Sequence, residues 1–226
     1  MTSPSSVTNT GARRRVILVT GFEPFAGNAV NPSAEVAKAL DGRVVGPAVV
    51  RSAVLPVHHT EATPAVIRLV EESDPLAIVH LGLAGGRARI ALERVAVNVM
   101  DFETPDNAGH LAQGESCVTG GPAAYLATLP LDAMLAALLA EGVPAYVSNT
   151  AGTYLCNLTM YGTLDWLAAR NHPARAGFVH LPLSPPMVAA SGLDQPSMDV
   201  GLMVRGVEIA LGVVARTTFP GKEVRP

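Results

Sequence analysis

The sequence is poor in charged residues and in long hydrophobic runs, and each scarcity excludes a class of protein. Charged residues make up 15% of the 226 residues and the net charge is −3, whereas nucleic-acid binders carry dense positive patches. No run of about 18 apolar residues occurs, so a transmembrane helix is not expected. Residues 1–11 are rich in Ser and Thr and lack the apolar centre of a signal peptide. We therefore expect a cytoplasmic protein without nucleic-acid or membrane partners.

Cysteine is also scarce, since Cys117 and Cys156 are the only two. Two cysteines are too few to form a disulfide framework in a chain of this size. In a reducing compartment both are thiols, and each is either an inert core residue or a reactive one. Apolar residues make up 49% of the chain, which is enough to build one large core without covalent staples.

Short apolar runs typical of buried strands alternate with helical segments along the chain. The pattern predicts strands near residues 15–20, 44–55, 76–81, 90–99, 145–149 and 176–180, and helices near residues 32–40, 60–73, 132–141, 154–170 and 196–215. Thr60 and Asp132 are predicted helix caps, and residues 181–186 a proline-rich loop. Because the strands are apolar on both faces, we predict a single-domain α/β/α sandwich over residues 13–226, with three layers and a mostly parallel, twisted sheet. Residues 1–12 are predicted to be a disordered tail.

Cys156 is a candidate nucleophile because it begins a predicted helix directly after a strand. The partial positive charge and free N–H groups of a helix N-terminus favour a thiolate and lower the thiol pKa from its usual value of about 8.5. The same N–H groups suit the oxyanion of a tetrahedral intermediate. The alternative is a small apolar residue that packs the start of the helix. Cys117 lies in a glycine-rich segment without such a turn, which favours a structural role.

Histidines offer candidate general bases for this thiol. His180 ends a predicted strand, and ligands of parallel α/β sheets bind at the carboxyl ends of strands. His80 also ends a strand and is its main rival. His58, His59 and His110 have no metal-ligand spacing with other Cys, His or Asp residues, so no zinc signature is present.

Glu93 lies within an alternating segment that places it on an apolar strand face. The residues expected on that face are Val95, Val97 and Val99. A buried carboxylate must be paired, because an isolated buried charge is very costly. One suitable partner is a catalytic imidazole, and the other is an arginine such as Arg87 or Arg89. The residues alone leave both partners open.

Several common motifs are absent. Residues 21–27 hold two aromatic side chains, Phe22 and Phe25, but lack the Lys-Ser/Thr ending of a phosphate loop. The glycines at residues 82–86 do not have dinucleotide-binding spacing, and no Gly-x-Ser-x-Gly element occurs.

Six segments, taken in order, closely resemble the pyroglutamyl peptidase I family. They are Gly-Phe-Glu-Pro-Phe at 21–25, Asn-Pro-Ser at 31–33, Glu-Arg-Val-Ala-Val-Asn at 93–98, Pro-Asp-Asn at 105–107, Gly-Gly-Pro-Ala-Ala-Tyr at 120–125 and Ser-Asn-Thr-Ala-Gly-Thr-Tyr-Leu-Cys-Asn at 148–157. The resemblance implies a Cys-His-Glu triad of Cys156, His180 and Glu93. It also implies removal of N-terminal pyroglutamyl residues from peptides without cofactor or metal, usually by a homotetramer.

The resemblance further implies substrate-binding residues. Phe22, Phe25 and Tyr154 would form apolar walls around the neutral lactam, the backbone around Leu83 would hydrogen-bond it, and Asn31 would fix the first loop.

Three places depart from the family pattern. Tyr154 replaces a usual Phe, Leu83 a frequent Gln, and residues 102–104 (Phe-Glu-Thr) replace Ala-Arg-Ile. An acidic Glu103 near the rim would alter the preference for the residue after pyroglutamate. Two alternatives stay open: a binder of pyroglutamyl peptides that has lost activity, and a nucleoside phosphorylase-like transferase.

Overall fold

The computed structural model describes residues 15–218, and the predicted tail at residues 1–12 lies outside them. In chain order the elements are β1 (Arg15–Phe22), α1 (Pro32–Leu40), β2 (Val44–Val45), β3 (Ala48–Leu55), α2 (Ala62–Ser73), β4 (Ala77–Leu83), β5 (Ile90–Glu93), β6 (Val95–Val97), β7 (Met100–Asp101), β8 (Gln113–Glu115), β9 (Ala124–Leu126), α3 (Leu131–Ala140), β10 (Ala145–Ser148), α4 (Leu155–Ala169), β11 (Arg175–Leu181), α5 (Pro185–Ser191) and α6 (Val200–Thr218). None of the helices in this part of the chain has the length and apolar character needed to span a bilayer.

The main sheet has seven strands in the order β10-β5-β11-β4-β1-β3-β2. Its centre, β11-β4-β1-β3, is parallel, while β5 pairs antiparallel with β11 and β10 runs parallel to β5. The predicted α/β class with a mostly parallel sheet is therefore confirmed. The reversal at β5 matters for the site, because it brings side chains of β5 against the carboxyl half of β11.

Helices cover both faces of the sheet and divide the core in two. One cluster packs α1, α3 and α6 on the sheet through residues such as Leu40, Leu138 and Val207. The other packs α2 and α4 on the opposite face through residues such as Val66 and Leu158. These two apolar layers produce the predicted three-layer sandwich.

Some predicted elements are wrong in detail. The single strand predicted over residues 90–99 is two strands, because β5 pairs within the main sheet whereas β6 pairs with β9 in a separate two-stranded sheet. The predicted loop at residues 181–186 contains the start of α5, whose first two residues are prolines, which the first turn of a helix tolerates.

The predicted helix caps are also wrong. Helix α2 begins after Glu61 and α3 after Pro130, so neither Thr60 nor Asp132 is a cap. Helix α6 begins at Val200 rather than near residue 196. At this start the carboxylate of Asp199 accepts the Leu202 N–H at 3.1 Å.

Candidate active site

Cys156 is the second residue of α4, and its thiol lies against Gly82 on β4. A Cβ atom at Gly82 would lie 2.9 Å from the Cys156 sulfur and 2.6 Å from the ring of Phe178, so only glycine allows this approach. Tyr154 at the N-cap makes no side-chain capping bond. The first N–H groups of α4 therefore have no side-chain cap beside the thiol, as an oxyanion site requires.

His180 and Glu93 meet because of the antiparallel register between β5 and β11. Glu93 pairs with Phe178, and His180 pairs with Ala91, so the side chains of Glu93 and His180 share one face of the sheet. His180 Nδ1 lies 2.8 Å from Glu93 Oε1, with side chains 5% and 0% exposed. The carboxylate orients the imidazole through Nδ1, which leaves Nε2 for proton transfer. His180 also pairs with Gly82 on its other side, which places it beside the strand residue that the thiol contacts.

Arg87 contacts the same carboxylate oxygen, so both partners that the sequence left open for Glu93 are present. Its guanidinium donates to Glu93 Oε1 at 2.9 Å, while Oε2 is buried without a hydrogen-bond partner among the described residues. Burial alone would raise the pKa of Glu93. The hydrogen bond and charge of His180, helped by Ser148 and Arg87, outweigh burial and hold that pKa below its ordinary value. Glu93 is thus kept ionised although it is buried.

The predicted lowering of the Cys156 pKa is wrong for this structure. Burial, followed by the negative charge of Glu93, raises the pKa of the thiol to about 12. The thiol's own backbone N–H and the charge of Arg87 act in the opposite direction but are weaker. No hydrogen bond joins Cys156 to His180 within residues 15–218. The Cys156 thiol is therefore neutral at neutral pH in this structure.

The predicted substrate-binding residues gather around this thiol. Phe22, Phe25, Asn31, Leu83 and Tyr154 line one narrow pocket together with Cys156. Val57 and Leu155 complete its lining, and no sequence motif indicated them. The volume is about 10 Å³, close to one water-sized sphere. A ligand larger than water therefore requires lining side chains to move, and among these the ring centroids of Phe25 and Tyr154 are 5.7 Å apart.

Hydrogen bonds hold the loop between β1 and α1 at this pocket. Asn31 donates to the Glu23 carbonyl at 3.0 Å, as expected for a residue that fixes the loop. The Glu23 carboxylate accepts the Val57 N–H at 3.0 Å and the Asn107 side-chain amide at 2.8 Å. The Tyr154 hydroxyl donates to the Pro105 carbonyl at 3.2 Å, which supplies the partner that this extra hydroxyl requires. The loops around the pocket are thus joined to one another.

The rival candidates have other partners. Each ring nitrogen of buried His80 lies against a threonine hydroxyl, Thr20 at 2.7 Å and Thr163 at 3.1 Å, and burial lowers the pKa of His80 to about 3. Burial likewise raises the pKa of Cys117 to about 11, and its thiol points to the Val97 carbonyl at 3.6 Å. Neither side chain lines the narrow pocket.

The three histidines without metal-ligand spacing in the sequence nevertheless come together in the structure. Ligand atoms of His58, His59 and Asp106 lie within 4.8 Å of one another, and His59 stacks on His110 at 3.8 Å. However, the Asp106 oxygens already accept four N–H donors, from His59 twice and from Ala108 and His110. Burial would raise the pKa of Asp106, but these donors lower it to about 2. The nearly parallel histidine rings and the fully hydrogen-bonded Asp106 carboxylate indicate that this cluster anchors the loops that carry it.

Comparisons with known proteins agree with this geometry. The family model described as Pyroglutamyl peptidase matches residues 15–217. The pyrrolidone-carboxylate peptidase of Pyrococcus furiosus is 42% identical over 200 residues, which cover 87% of this chain and 96% of that protein. The one from Cupriavidus taiwanensis is 44% identical over 210 residues, with 92% and 96% covered.

Solved structures show the same similarity. The crystal structure of pyrrolidone carboxyl peptidase from Pyrococcus furiosus matches with a TM-score of 0.87 at 40% identity, covering 90% of this chain and 100% of that one. Pyroglutamyl peptidase I from Bacillus amyloliquefaciens matches with a TM-score of 0.87 at 36% identity, covering 90% and 98%.

Proposed function

The chain belongs to the pyroglutamyl peptidase family of hydrolases, and we propose that it removes an N-terminal pyroglutamyl residue from peptides through Cys156, His180 and Glu93. One observation carries the residue assignment. His180 forms a buried pair with Glu93 at 2.8 Å and lies next to Gly82 of β4, and the Cys156 thiol packs on that glycine. A base oriented by a carboxylate beside a nucleophile is the arrangement that acyl transfer needs.

The proposed reaction proceeds in two halves. His180 takes the thiol proton as the Cys156 sulfur attacks the carbonyl carbon of the pyroglutamyl residue. First-turn N–H groups of α4 donate to the resulting oxyanion. His180 then gives its proton to the nitrogen of the departing peptide, the C–N bond breaks, and an acyl-thioenzyme remains. A water molecule, deprotonated by His180, attacks this thioester, and free pyroglutamate leaves as the thiol regains its proton.

The raised pKa of the thiol fits general-base catalysis. At a pKa of about 12 almost no thiolate exists at neutral pH, so proton transfer to His180 accompanies attack. Glu93, which stays ionised, stabilises the imidazolium that forms. We assign Arg87 as a positioning residue, because its 2.9 Å bond to Glu93 Oε1 helps to keep that carboxylate ionised and in place.

The narrow pocket suits the substrate residue. A five-membered lactam is neutral and flat and has no free amine, so its site needs apolar walls and a few hydrogen bonds rather than a carboxylate. In this proposal Phe22, Phe25 and Tyr154 provide the walls and the backbone of Leu83 hydrogen-bonds the lactam, and all four residues line the narrow pocket. Asn31 positions the loop that carries Phe25.

Hydrolysis of a pyroglutamyl chromogenic amide tests the proposal. Reduced wild-type protein should cleave it, and Cys156→Ser should lose activity by about 10³-fold or more, because a serine hydroxyl is a far weaker nucleophile here. Cys117→Ser is the matched control and should keep wild-type activity.

Two results would contradict this assignment. The first is absence of cleavage by folded wild-type protein, with tight peptide binding then favouring an inactive binder. The second is equal activity of Cys156→Ser and wild type.

Assembly and location are also part of the proposal. Family resemblance supports a homotetramer, which sedimentation at several protein concentrations would test. Both cysteines are free thiols, which suits a reducing, cytoplasmic location.

A further inference from the structure

A second cavity adjoins the narrow thiol pocket and shares two of its three aromatic walls. Its volume is about 300 Å³, and Phe25 and Tyr154 line both cavities. Its far side is formed by residues around Asp101 and Glu103 and by the turn at Gly152 that precedes α4. A peptide with its first residue at the thiol therefore has room here for the next side chain.

Two carboxylates dominate the charge of this cavity. Asp101 and Glu103 are both exposed, and across residues 15–218 neither side chain takes part in an ion pair or hydrogen bond. Among residues 15–218, no Lys, Arg or His lines the cavity. The described part of the chain therefore does not neutralise the negative potential here.

The backbone that carries these carboxylates is fixed relative to the nucleophile. Asp101 donates its N–H to the Thr153 carbonyl at 3.1 Å, and the Thr153 hydroxyl donates to the Asp101 carbonyl at 2.7 Å. Beyond Glu103, the Pro105 carbonyl accepts the Tyr154 hydroxyl at 3.2 Å. Both anchors lie in the turn immediately before Cys156, so the carboxylates keep their place beside the scissile bond.

We propose that this cavity is the subsite for the residue that follows pyroglutamate, and that it favours a cationic Lys or Arg side chain. The inference rests on the proposed function. The pyroglutamyl residue itself is neutral, so any charge preference must come from the residues after it. The aliphatic stem of Lys or Arg packs on the rings of Phe25 and Tyr154, while its cation meets Asp101 and Glu103.

Solvent exposure limits the size of the effect. Exposed charge pairs are weak and are screened by salt, so we expect a preference of about 3- to 10-fold for Lys over Ala at this position. Glu at the same position should be disfavoured by a similar factor. Both differences should shrink as ionic strength rises.

The test compares kcat/KM for three otherwise identical peptides in which pyroglutamate is followed by Lys, Ala or Glu. Wild type should follow the order Lys, Ala, Glu. The double variant Asp101→Asn, Glu103→Gln should bring the Lys-to-Ala ratio close to one. Glu72→Gln removes an exposed charge from α2, away from this cavity, and should leave the wild-type ratio unchanged.

The outcomes separate this inference from the function it rests on. Equal cleavage of all three peptides by wild type would overturn the charge preference and leave the peptidase intact. A Lys preference that survives in the double variant would also overturn it. Failure to cleave even a neutral pyroglutamyl amide would contradict the peptidase itself.

Discussion

The triad and the pocket walls differ in what holds them. Glu93 and His180 lie on neighbouring strands of the main sheet and are 0% and 5% exposed, and Cys156 sits in the first turn of a fifteen-residue helix. The walls Phe25 and Tyr154 lie on loops, at residues 23–31 and 152–154, which a few hydrogen bonds join to the loop at residues 102–107. We therefore expect the proposed reaction to depend mainly on the sheet, and the proposed substrate preference on loop segments that tolerate substitution.

The largest effect is expected from changing the carboxylate of the triad. Glu93→Gln keeps the shape but removes the charge, so the imidazolium formed during attack loses its partner. We expect kcat to fall on the order of 10³-fold with the fold intact. Steady-state kinetics and thermal melting would measure both properties.

Two arginine variants provide controls for this change. Arg87→Gln acts on Glu93 from outside the triad, and its kcat should fall about tenfold. The loss is limited because one of the two donors to Glu93 Oε1 remains. Arg89→Gln should be neutral, because Arg89 stacks on Tyr146 at 4.5 Å instead. Activity of Glu93→Gln within about threefold of wild type would remove Glu93 from the proposed triad.

The sequence predicts the positions of the candidate site residues better than their electrostatics. Cys156 lies at a helix start, His180 at a strand end, and Glu93 is a polar residue in an apolar strand. These local patterns are visible in the sequence. The alternation predicted for the residues after Glu93 is nevertheless wrong, because the strand ends at Glu93. The side chain is buried through pairing with β11, which is far away in sequence.

Other features depend on contacts between distant segments and leave little local signal. The raised pKa of the Cys156 thiol arises from burial and from Glu93, which lies 63 positions earlier in the chain. The wall residue Val57 and the clustering of His58, His59 and Asp106 depend on how two loops pack. A helix N-terminus can be recognised in a sequence, but the burial that outweighs its effect cannot.

A smaller but decisive effect concerns the pH dependence of thiol alkylation. Only the thiolate reacts, and burial raises the pKa of Cys156 to about 12, so the rate should rise about tenfold per pH unit between pH 6 and 9. Iodoacetamide labelling of a Cys117→Ser background, followed by mass spectrometry, would measure it. A rate that is already high and constant below pH 7 would instead show a thiolate–imidazolium pair in the free enzyme.

The smallest effect is expected at a pocket wall. Tyr154→Phe keeps the ring and removes the hydroxyl that donates to the Pro105 carbonyl, so the free energy of unfolding should fall by about 0.5–1 kcal/mol. We expect kcat to stay near wild type and KM to rise no more than about threefold, because the bond holds a loop and touches no reacting atom. Burial raises the pKa of this hydroxyl to about 12, so the effect should not vary between pH 6 and 9.

Tyr125→Phe loses a comparable bond to Asp165 away from the narrow pocket and should leave KM unchanged. A tenfold fall in kcat for Tyr154→Phe alone would place the hydroxyl in the chemistry and end the division between rigid triad and adjustable walls.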